Sequence, residues 1–254
     1  MMKLRRVVQV ASAIAVFAIA GAVPAQAQVR RVESGRNAIG FNFGYFTLRG
    51  LDSRGCSNCE PIDQDVLVAD LSQGQYSLAF DIKDFNGATF GGEWVTGIGD
   101  YLEAGFGVGF YQNTVHSVYA QKIRDDGSEI AQDLKLRIVP LTATVRFLPI
   151  GRRGVTPYVG AGFGAFNWHY SEVGEFIFQN DVTDNDRFVA DGWAAGPVVL
   201  GGIRLPVSDI WTVGGEIRWQ KAVGKGLIEQ NEFFLGDKVD LGGWNYNFTV
   251  HFRF

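Results

Sequence analysis

The sequence predicts an all-β fold in which eight antiparallel strands run up and down around a barrel. Three observations lead to this prediction. Apolar and polar residues alternate at period two, no segment shows convincing helical periodicity, and short connections alternate with long ones. The composition agrees, because glycine accounts for 33 of 254 residues and aromatic residues for 13%. Abundant glycine without low complexity is typical of closely packed strands.

Each predicted strand has an apolar face that alternates with a face of glycine and polar residues. The strands lie in order at residues 39–45, 90–98, 102–110, 141–147, 158–165, 195–205, 211–219 and 244–254. The last strand is the clearest, since apolar residues from Trp244 to Phe254 alternate strictly with polar ones. Pro140 is expected to mark a bulge just before the fourth strand.

Short and long connections alternate along the chain. The short ones lie at 97–100, 149–156 and 206–210, and the long polar ones at about 51–82, 113–133, 169–191 and 221–242. All short turns then lie at one end of the barrel and all long loops at the other. Long loops are uncommon in a soluble domain, whereas this asymmetry is expected of barrels in an outer membrane.

Alternation alone fits a soluble barrel with an apolar interior equally well, so the facing of the strands needs further arguments. The polar face carries mid-strand glycines and charges of both signs, as a narrow lumen requires. Trp211 and Trp219 share one apolar face, separated by roughly 20 Å along the membrane normal, which is near the spacing of two interfacial girdles. A final strand so rich in aromatic residues would serve no purpose in water. We therefore predict a transmembrane β-barrel whose apolar face contacts lipid.

The start of the chain has the pattern of a signal peptide, residues 1–27. Basic residues precede an apolar run from Val7 to Val23, and Ala25-Gln26-Ala27 supplies a cleavage pattern. A membrane helix is the alternative, but the cleavage pattern argues against it. The mature chain, 28–254, is then a single barrel domain. Removal of this basic leader takes the formal net charge from -4 to -7, which gives no support to nucleic-acid binding.

Two stretches are similar to known proteins. LRIVPLTATVRFLPIGRRGVTPYVGAGFGAFNW resembles the central strands of small outer membrane proteins of the OmpA, OmpX and OmpW type, and PYVGAG at 157–162 is its most specific part. WAAGPVVLGGIRLPVSDIWTVGGEIRW resembles the hairpin that follows in those proteins. The resemblance covers most of the mature chain. It implies a β-barrel domain in the outer membrane of a Gram-negative cell envelope, and it implies no catalytic residue.

The last strand also resembles the C-terminal signal of bacterial outer membrane proteins, whose final aromatic residue the barrel assembly machinery recognises. The matching residues are Tyr246, Phe248, Phe252 and Phe254. An ordinary edge strand is the alternative. The resemblance implies insertion by that machinery, with outer membrane lipids and lipopolysaccharide around the barrel.

Charged residues of both signs are expected to share the lumen. They are Glu93, Glu103, Arg146, Arg204, Glu216, Arg218 and Arg253. Isolated charges in a narrow interior would be costly, so these residues should form ion pairs. Two interpretations follow: a salt-bridged plug that fills the barrel, or a narrow polar or gated pathway.

Cys56 and Cys59 lie in the first long loop, where an exported chain is expected to form a local disulfide. A redox Cys-x-x-Cys would need a βαβ setting, and a zinc site would need further ligands that are missing nearby. Acidic loop residues such as Asp125 and Asp126 lack the spacing of a calcium loop. The sequence predicts no metal site and no cofactor.

His169 and Ser171, with Glu172 or Glu175, raise an enzymatic hypothesis. Some eight-stranded barrels deacylate lipid A with a His-x-Ser pair and a glutamate, and the spacing allows an imidazole to activate a hydroxyl. The asparagine and the proline and glycine that follow the serine in that family are missing here. No catalytic residue is therefore predicted.

The predicted function is non-enzymatic: an envelope-structural or surface-interaction role with loops presented outside the cell. The alternative is a narrow, porin-like channel for small or hydrophobic solutes, as the OmpW resemblance allows. A lipid A-modifying enzyme is the third hypothesis.

Overall fold

The computed structural model describes residues 36–49, 64–72, 76–152, 154–177 and 183–254. The predicted signal peptide and the predicted Cys56–Cys59 disulfide lie outside these residues. Among the residues that the structure describes, no helix is long and apolar enough to cross a membrane.

Eight strands form one antiparallel ring. They are β1 (Asn37–Leu48), β2 (Gly87–Ile98), β3 (Leu102–Ile123), β4 (Glu129–Phe147), β5 (Thr156–Ile177), β6 (Thr183–Pro206), β7 (Trp211–Gln220) and β10 (Gly243–Arg253). Each strand pairs with its neighbours along the chain, and β1 closes the ring against β10 from Ala38↔Arg253 to Leu48↔Gly243. The predicted fold class, an eight-stranded antiparallel transmembrane β-barrel, is confirmed.

Smaller elements lie in two of the long connections. A helix, α1 (Val66–Ser72), and a 3-10 turn (Ile82–Phe85) separate β1 from β2. A two-stranded sheet of β8 (Val223–Lys225) and β9 (Lys238–Asp240), with α2 (Leu227–Gln230) between them, separates β7 from β10.

Strands β3 to β6 are much longer than the sequence analysis predicts. β5 and β6 contain 22 and 24 residues, so most of the predicted loops 113–133 and 169–191 are strand. The predicted bulge at Pro140 is also wrong, because β4 pairs with β5 without a register shift from Gln132↔Gly174 to Phe147↔Val159. Only the ladder with β3 omits pairs beside Pro140, which has no N–H to donate.

The polarity of the two faces inverts at Pro140, while the side chains keep their directions. Below Pro140, β4 exposes Leu141 and Val145 outside and buries Thr144 inside. Above it, Leu136 points inward and is fully buried. The outer positions there, Asp133, Lys135 and Arg137, are polar. Apolar residues lie outside where lipid surrounds the barrel and inside where water does, so Pro140 marks one edge of the lipid-facing band.

Neighbouring strands place this edge at the same level. Paired residues Val139, Asn167 and Trp193 form one row across β4, β5 and β6, and Trp193 is 63% exposed. The next row up contains Arg137 and His169. Below the edge, β6 presents apolar residues outward over 195–205, a length close to the roughly 9–11 residues of a transmembrane strand. A tryptophan at the boundary is typical of an interfacial girdle.

Above the lipid-facing band, β3 to β6 continue as an extension surrounded by water. A charge on the outer face should destabilise the protein in the band but not in this extension. Phe163 is 70% exposed near the middle of the band. We expect Phe163→Arg to lower the free energy of unfolding by about 2–4 kcal/mol, because a guanidinium is then exposed to hydrocarbon. The measurement is reversible denaturant unfolding of the protein in phospholipid vesicles.

Val173→Arg is the matched control, since Val173 lies on the outer face of the same strand but above the band. Its effect should stay within about 0.5 kcal/mol. Equal losses for both variants would contradict the position of the boundary.

Candidate functional site: a lumen closed at two levels

The lower closure is centred on Arg146, which has no exposed surface. Its Nη1 donates to Glu93 Oε1 at 2.9 Å and its Nη2 to Glu93 Oε2 at 2.5 Å. The same Nη2 donates to Glu216 Oε2 at 3.2 Å. A two-pronged contact between a guanidinium and a carboxylate is the strongest geometry for such a pair. Arg146 therefore joins β2, β4 and β7 across the lumen.

Further groups complete this lumen ion cluster, which consists of Glu93, Arg146, Tyr158, Glu216, Arg218 and His251. Arg218 donates to Glu216 Oε1 at 2.7 Å, and the Tyr158 hydroxyl donates to Glu216 Oε2 at 3.0 Å. His251 Nε2 lies 2.8 Å from Glu93 Oε1. Both carboxylates are surrounded by donors, which offsets much of the cost of removing them from water.

Space for these side chains comes from glycine on the inner face. A Cβ on Gly40 would lie 2.5 Å from His251 Cδ2, and one on Gly160 would lie 3.0 Å from Arg146 Cγ. In an eight-stranded ring the lumen is just wide enough for side chains to fill it. Because these mid-strand glycines have no side chain, the large residues on the neighbouring strands fit inside the lumen.

A second ion pair lies nearer the short-turn end. Arg204 Nη1 donates to Glu103 Oε2 at 2.7 Å, and Arg152 Nε lies 3.6 Å from Glu103 Oε1. Arg204 also stacks 4.5 Å from the centre of the Tyr158 ring. Within the described part of the chain, Arg253 has no ion-pair partner, and it lines a small cavity beside Arg204.

Six of the seven charged residues expected in the lumen thus form ion pairs, and the seventh, Arg253, does not. Tyr158 and His251 of the lumen ion cluster, and Arg152 beside Glu103, were not among the predicted lumen residues. Tyr158 and His251 lie at inward positions of β5 and β10. The alternation would have predicted them in the lumen if neutral hydrogen-bonding side chains had been considered together with the charged ones. Arg152 lies in a turn, where period two gives no direction.

The upper closure is an apolar core at the long-loop end. Val66 and Leu67 of helix α1 are buried in one apolar cluster with inward residues of β4 and β5, among them Leu134 and Trp168. Sheet β8–β9 covers the same place, since a Cβ on Gly224 would lie 2.6 Å from the Trp168 ring. The two long connections therefore close the mouth of the barrel from above.

One carboxylate joins these two connections. Asp65 Oδ1 accepts the Leu67 N–H at 3.0 Å, which caps the start of α1, and Oδ2 accepts the Asp240 N–H of β9 at 2.7 Å. Burial raises the pKa of Asp65 from 3.8 to about 7. The ionised form of this side chain therefore opposes the docked arrangement.

Two more carboxyl groups are buried in the upper closure. The Tyr170 hydroxyl donates to Asp70 Oδ2 at 3.4 Å, and Glu172 Oε1 has no hydrogen-bond partner. Burial and the nearby Glu172 raise the pKa of Asp70 well above its ordinary value. Within the described ranges, no group of histidine, cysteine and acidic residues could hold a metal ion.

The residues of the enzymatic hypothesis are not assembled on one face. His169 and Ser171 alternate outward on β5, whereas Glu172 alternates inward. Glu175 forms an ion pair with Arg124 instead. Among the described residues, no hydrogen bond joins His169 to Ser171. These residues therefore do not form the chain of hydrogen bonds from hydroxyl to imidazole to carboxylate by which a serine is activated as a nucleophile.

The aromatic residues of the predicted assembly signal lie on β10 and just beyond it. Tyr246, Phe248 and Phe254 are exposed. The rings of Phe252 and Phe254 are stacked 6.4 Å apart, and Trp211 packs edge-on against Phe252 at 5.2 Å. These side chains contribute to the apolar surface of the band, and their recognition by the assembly machinery stays a prediction.

Comparisons with known proteins give structural likenesses only. No protein-family model matches the chain, and no curated protein matches it. OprG from Pseudomonas aeruginosa is 12% identical, with 87% of this chain and 97% of that chain covered and a TM-score of 0.48. Neisserial surface protein A is 11% identical, with 86% and 96% covered and a TM-score of 0.45. Escherichia coli outer membrane protein W is 18% identical, with 87% and 99% covered and a TM-score of 0.34. At identities this low the likeness concerns the fold and not the activity.

The upper closure should weaken as the pH rises. Folding raises the pKa of Asp65 to about 7, so its contribution to docking of α1 is fully present below about pH 4 and is lost as the pH rises through about 7. Burial raises the pKa of Asp70 in the same direction. Hydrogen exchange of the Ala69 amide, which donates to Asp65 O within α1, reports this docking. We expect its protection, corrected for intrinsic exchange, to fall between pH 5 and 8.

Asp70→Asn should reduce the loss of protection as the pH rises, because an amide of the same shape replaces a buried group that can ionise. Asp125→Asn removes an exposed carboxylate and serves as the control. Protection that is the same at both pH values, or that responds equally to the two variants, would contradict the role of the buried carboxylates.

Proposed function

We propose that this chain is an integral outer membrane protein that is closed to solutes and holds a rigid β-structure at the cell surface. The observation that supports it most directly is the double closure of the lumen, by the ion cluster around Arg146 and by the apolar core around Trp168. A barrel filled at two levels is suited to anchoring rather than to conduction.

The orientation follows from the lengths of the connections. Short turns face the periplasm and long connections face outward in barrels of the outer membrane. The extended halves of β3 to β6 then stand outside the cell, with lipopolysaccharide around the band and the assembly machinery as the route of insertion. This orientation also places the upper closure at the outer surface.

The extension is suited to surface interaction. Its outer face is polar, with Lys135, Arg137 and Asp191 standing above Trp193, while the core beneath it is apolar and packed. Phe233 remains exposed while it stacks on Phe188 at 5.2 Å. A packed core under a mixed polar and aromatic surface presents fixed side chains to a partner outside the cell.

A narrow gated pathway is the second candidate. The observation that favours it concerns what covers the upper core. Helix α1 and sheet β8–β9 belong to connections between strands, and the buried carboxyl group of Asp65 joins them. Displacement of α1 together with sheet β8–β9 would uncover the upper half of the lumen. The ion cluster below would still block passage, which is why we place this candidate second.

Planar-bilayer recording tests the closed state. We expect no discrete openings from the refolded protein at neutral pH, because both closures fill the lumen. Glu216→Gln should also stay silent, since Arg146 keeps its two contacts with Glu93. A porin of known conductance, inserted by the same procedure, shows that openings would be seen. Reproducible small openings whose size changes in Glu216→Gln would favour the gated pathway.

Cysteine labelling of intact cells tests the orientation. In a Cys56→Ser, Cys59→Ser background, Asn185→Cys places a thiol at the exposed long-loop end, and Asp209→Cys places one at the exposed short-turn end. A membrane-impermeant maleimide should label the first variant in intact cells. It should label the second only after the outer membrane is permeabilised, and the reverse pattern would contradict the proposal.

A further inference from the structure

The short-turn mouth of the barrel contains a cavity of about 20 Å³, room for roughly one water-sized group. It is lined by residues from six strands of the ring and from the turn between β4 and β5. Among them are Arg36, Arg152, Arg204, Arg253, Glu103 and His251. We propose that this mouth binds a small oxyanion, the phosphate or carboxylate head of a ligand, with one anionic oxygen in the cavity.

The charges of the mouth are unbalanced. Among the described lining residues Glu103 is the one acidic side chain, and Arg204 and Arg152 share it at 2.7 and 3.6 Å. Arg36 and Arg253 have no ion-pair partner among the residues that the structure describes. Guanidinium groups stay protonated in proteins, so the excess of positive charge cannot be removed by titration. An anion is the ligand that balances it.

Buried donors without partners surround the same cavity. Arg204 is 4% exposed, yet its Nε and Nη2 have no hydrogen-bond partner among the described residues, and the same is true of the Thr212 hydroxyl. A buried donor left unsatisfied costs free energy, more so when it is charged. These polar groups line one cavity, so a single ligand rich in acceptors would satisfy several of them.

The type of donor selects the type of anion. A guanidinium presents parallel N–H groups that match two oxygens of a carboxylate or phosphate, whereas a halide offers no such pair. The lumen ion cluster shows the same preference, since Arg146 there binds both oxygens of Glu93. Among the described residues that line the mouth, Glu103 is the one side-chain carboxylate, and a ligand would supply a second anionic group.

Isothermal titration of the refolded protein with inorganic phosphate tests the proposal. The protein is held in a detergent without a phosphate group, at constant ionic strength. We expect saturable binding that Arg253→Gln weakens about tenfold or more, the loss typical of one charge-assisted hydrogen bond. Arg36→Gln should also weaken binding, and it changes a residue outside the strands. A parallel titration with acetate distinguishes a phosphate ligand from a carboxylate ligand.

Arg187→Gln is the matched control, because it removes one exposed positive charge at the far end of the barrel. It should leave the affinity unchanged. Absence of saturable binding to both anions would overturn the proposal. Equal weakening by Arg187→Gln and Arg36→Gln would also overturn it, since that result indicates a general charge effect.

Discussion

The structure depends on one constraint: a closed ring of eight strands encloses a lumen that is narrow enough for side chains to fill. Side chains alternate across each strand, so every second residue must be accommodated inside. Large residues fit only where the opposing strand gives space, as Gly40 does for His251 and Gly160 for Arg146. The distribution of glycine on the inner face therefore decides which inward side chain is large, and the lumen becomes a packed interior.

The filling changes along the barrel axis because the surroundings change. Inside the band the apolar residues lie on the outer face, in contact with lipid. The inner face is polar, and its groups must form hydrogen bonds and ion pairs with one another. Above Pro140 water surrounds the barrel, and Leu136 and Trp168 return to the interior. β4 crosses this boundary without a register shift against β5. One continuous strand therefore contributes to the polar lumen below the boundary and to the apolar core above it.

This inversion explains which parts of the fold the sequence reveals. The eight strands, their facing in the band and the pairing of most lumen charges follow from period two, because lipid outside and polar groups inside give each strand a strong contrast. The upper parts of β3 to β6 also alternate at period two, but there the inward residues are apolar and the outward residues are polar. Above Pro140 in β4 the outward residues are therefore polar, and the segment resembles a loop. Leu134, Leu136 and Ile138 already showed the reversed pattern.

Other features could not be predicted because they depend on contacts between distant segments. Helix α1 is short, and its place in the upper core is set by Trp168 and Asp240, far away in the sequence. No local pattern specifies that contact. The same holds for Arg152, whose turn reaches Glu103 only through the closure of the ring.

The two closures differ in how they respond to loss of a contact. In the ion cluster each carboxylate has several donors, and removal of one partner leaves a buried charge uncompensated, so the arrangement resists partial opening. In the upper closure Asp65 and Asp70 ionise at the expense of docking, so opening begins there. The ion cluster also takes Glu93 and Glu216 for Arg146 and Arg218. Among the described residues that line the short-turn mouth, Glu103 is then the one carboxylate left for the arginines. The positive charge of the mouth therefore follows from the pairing within the lumen ion cluster.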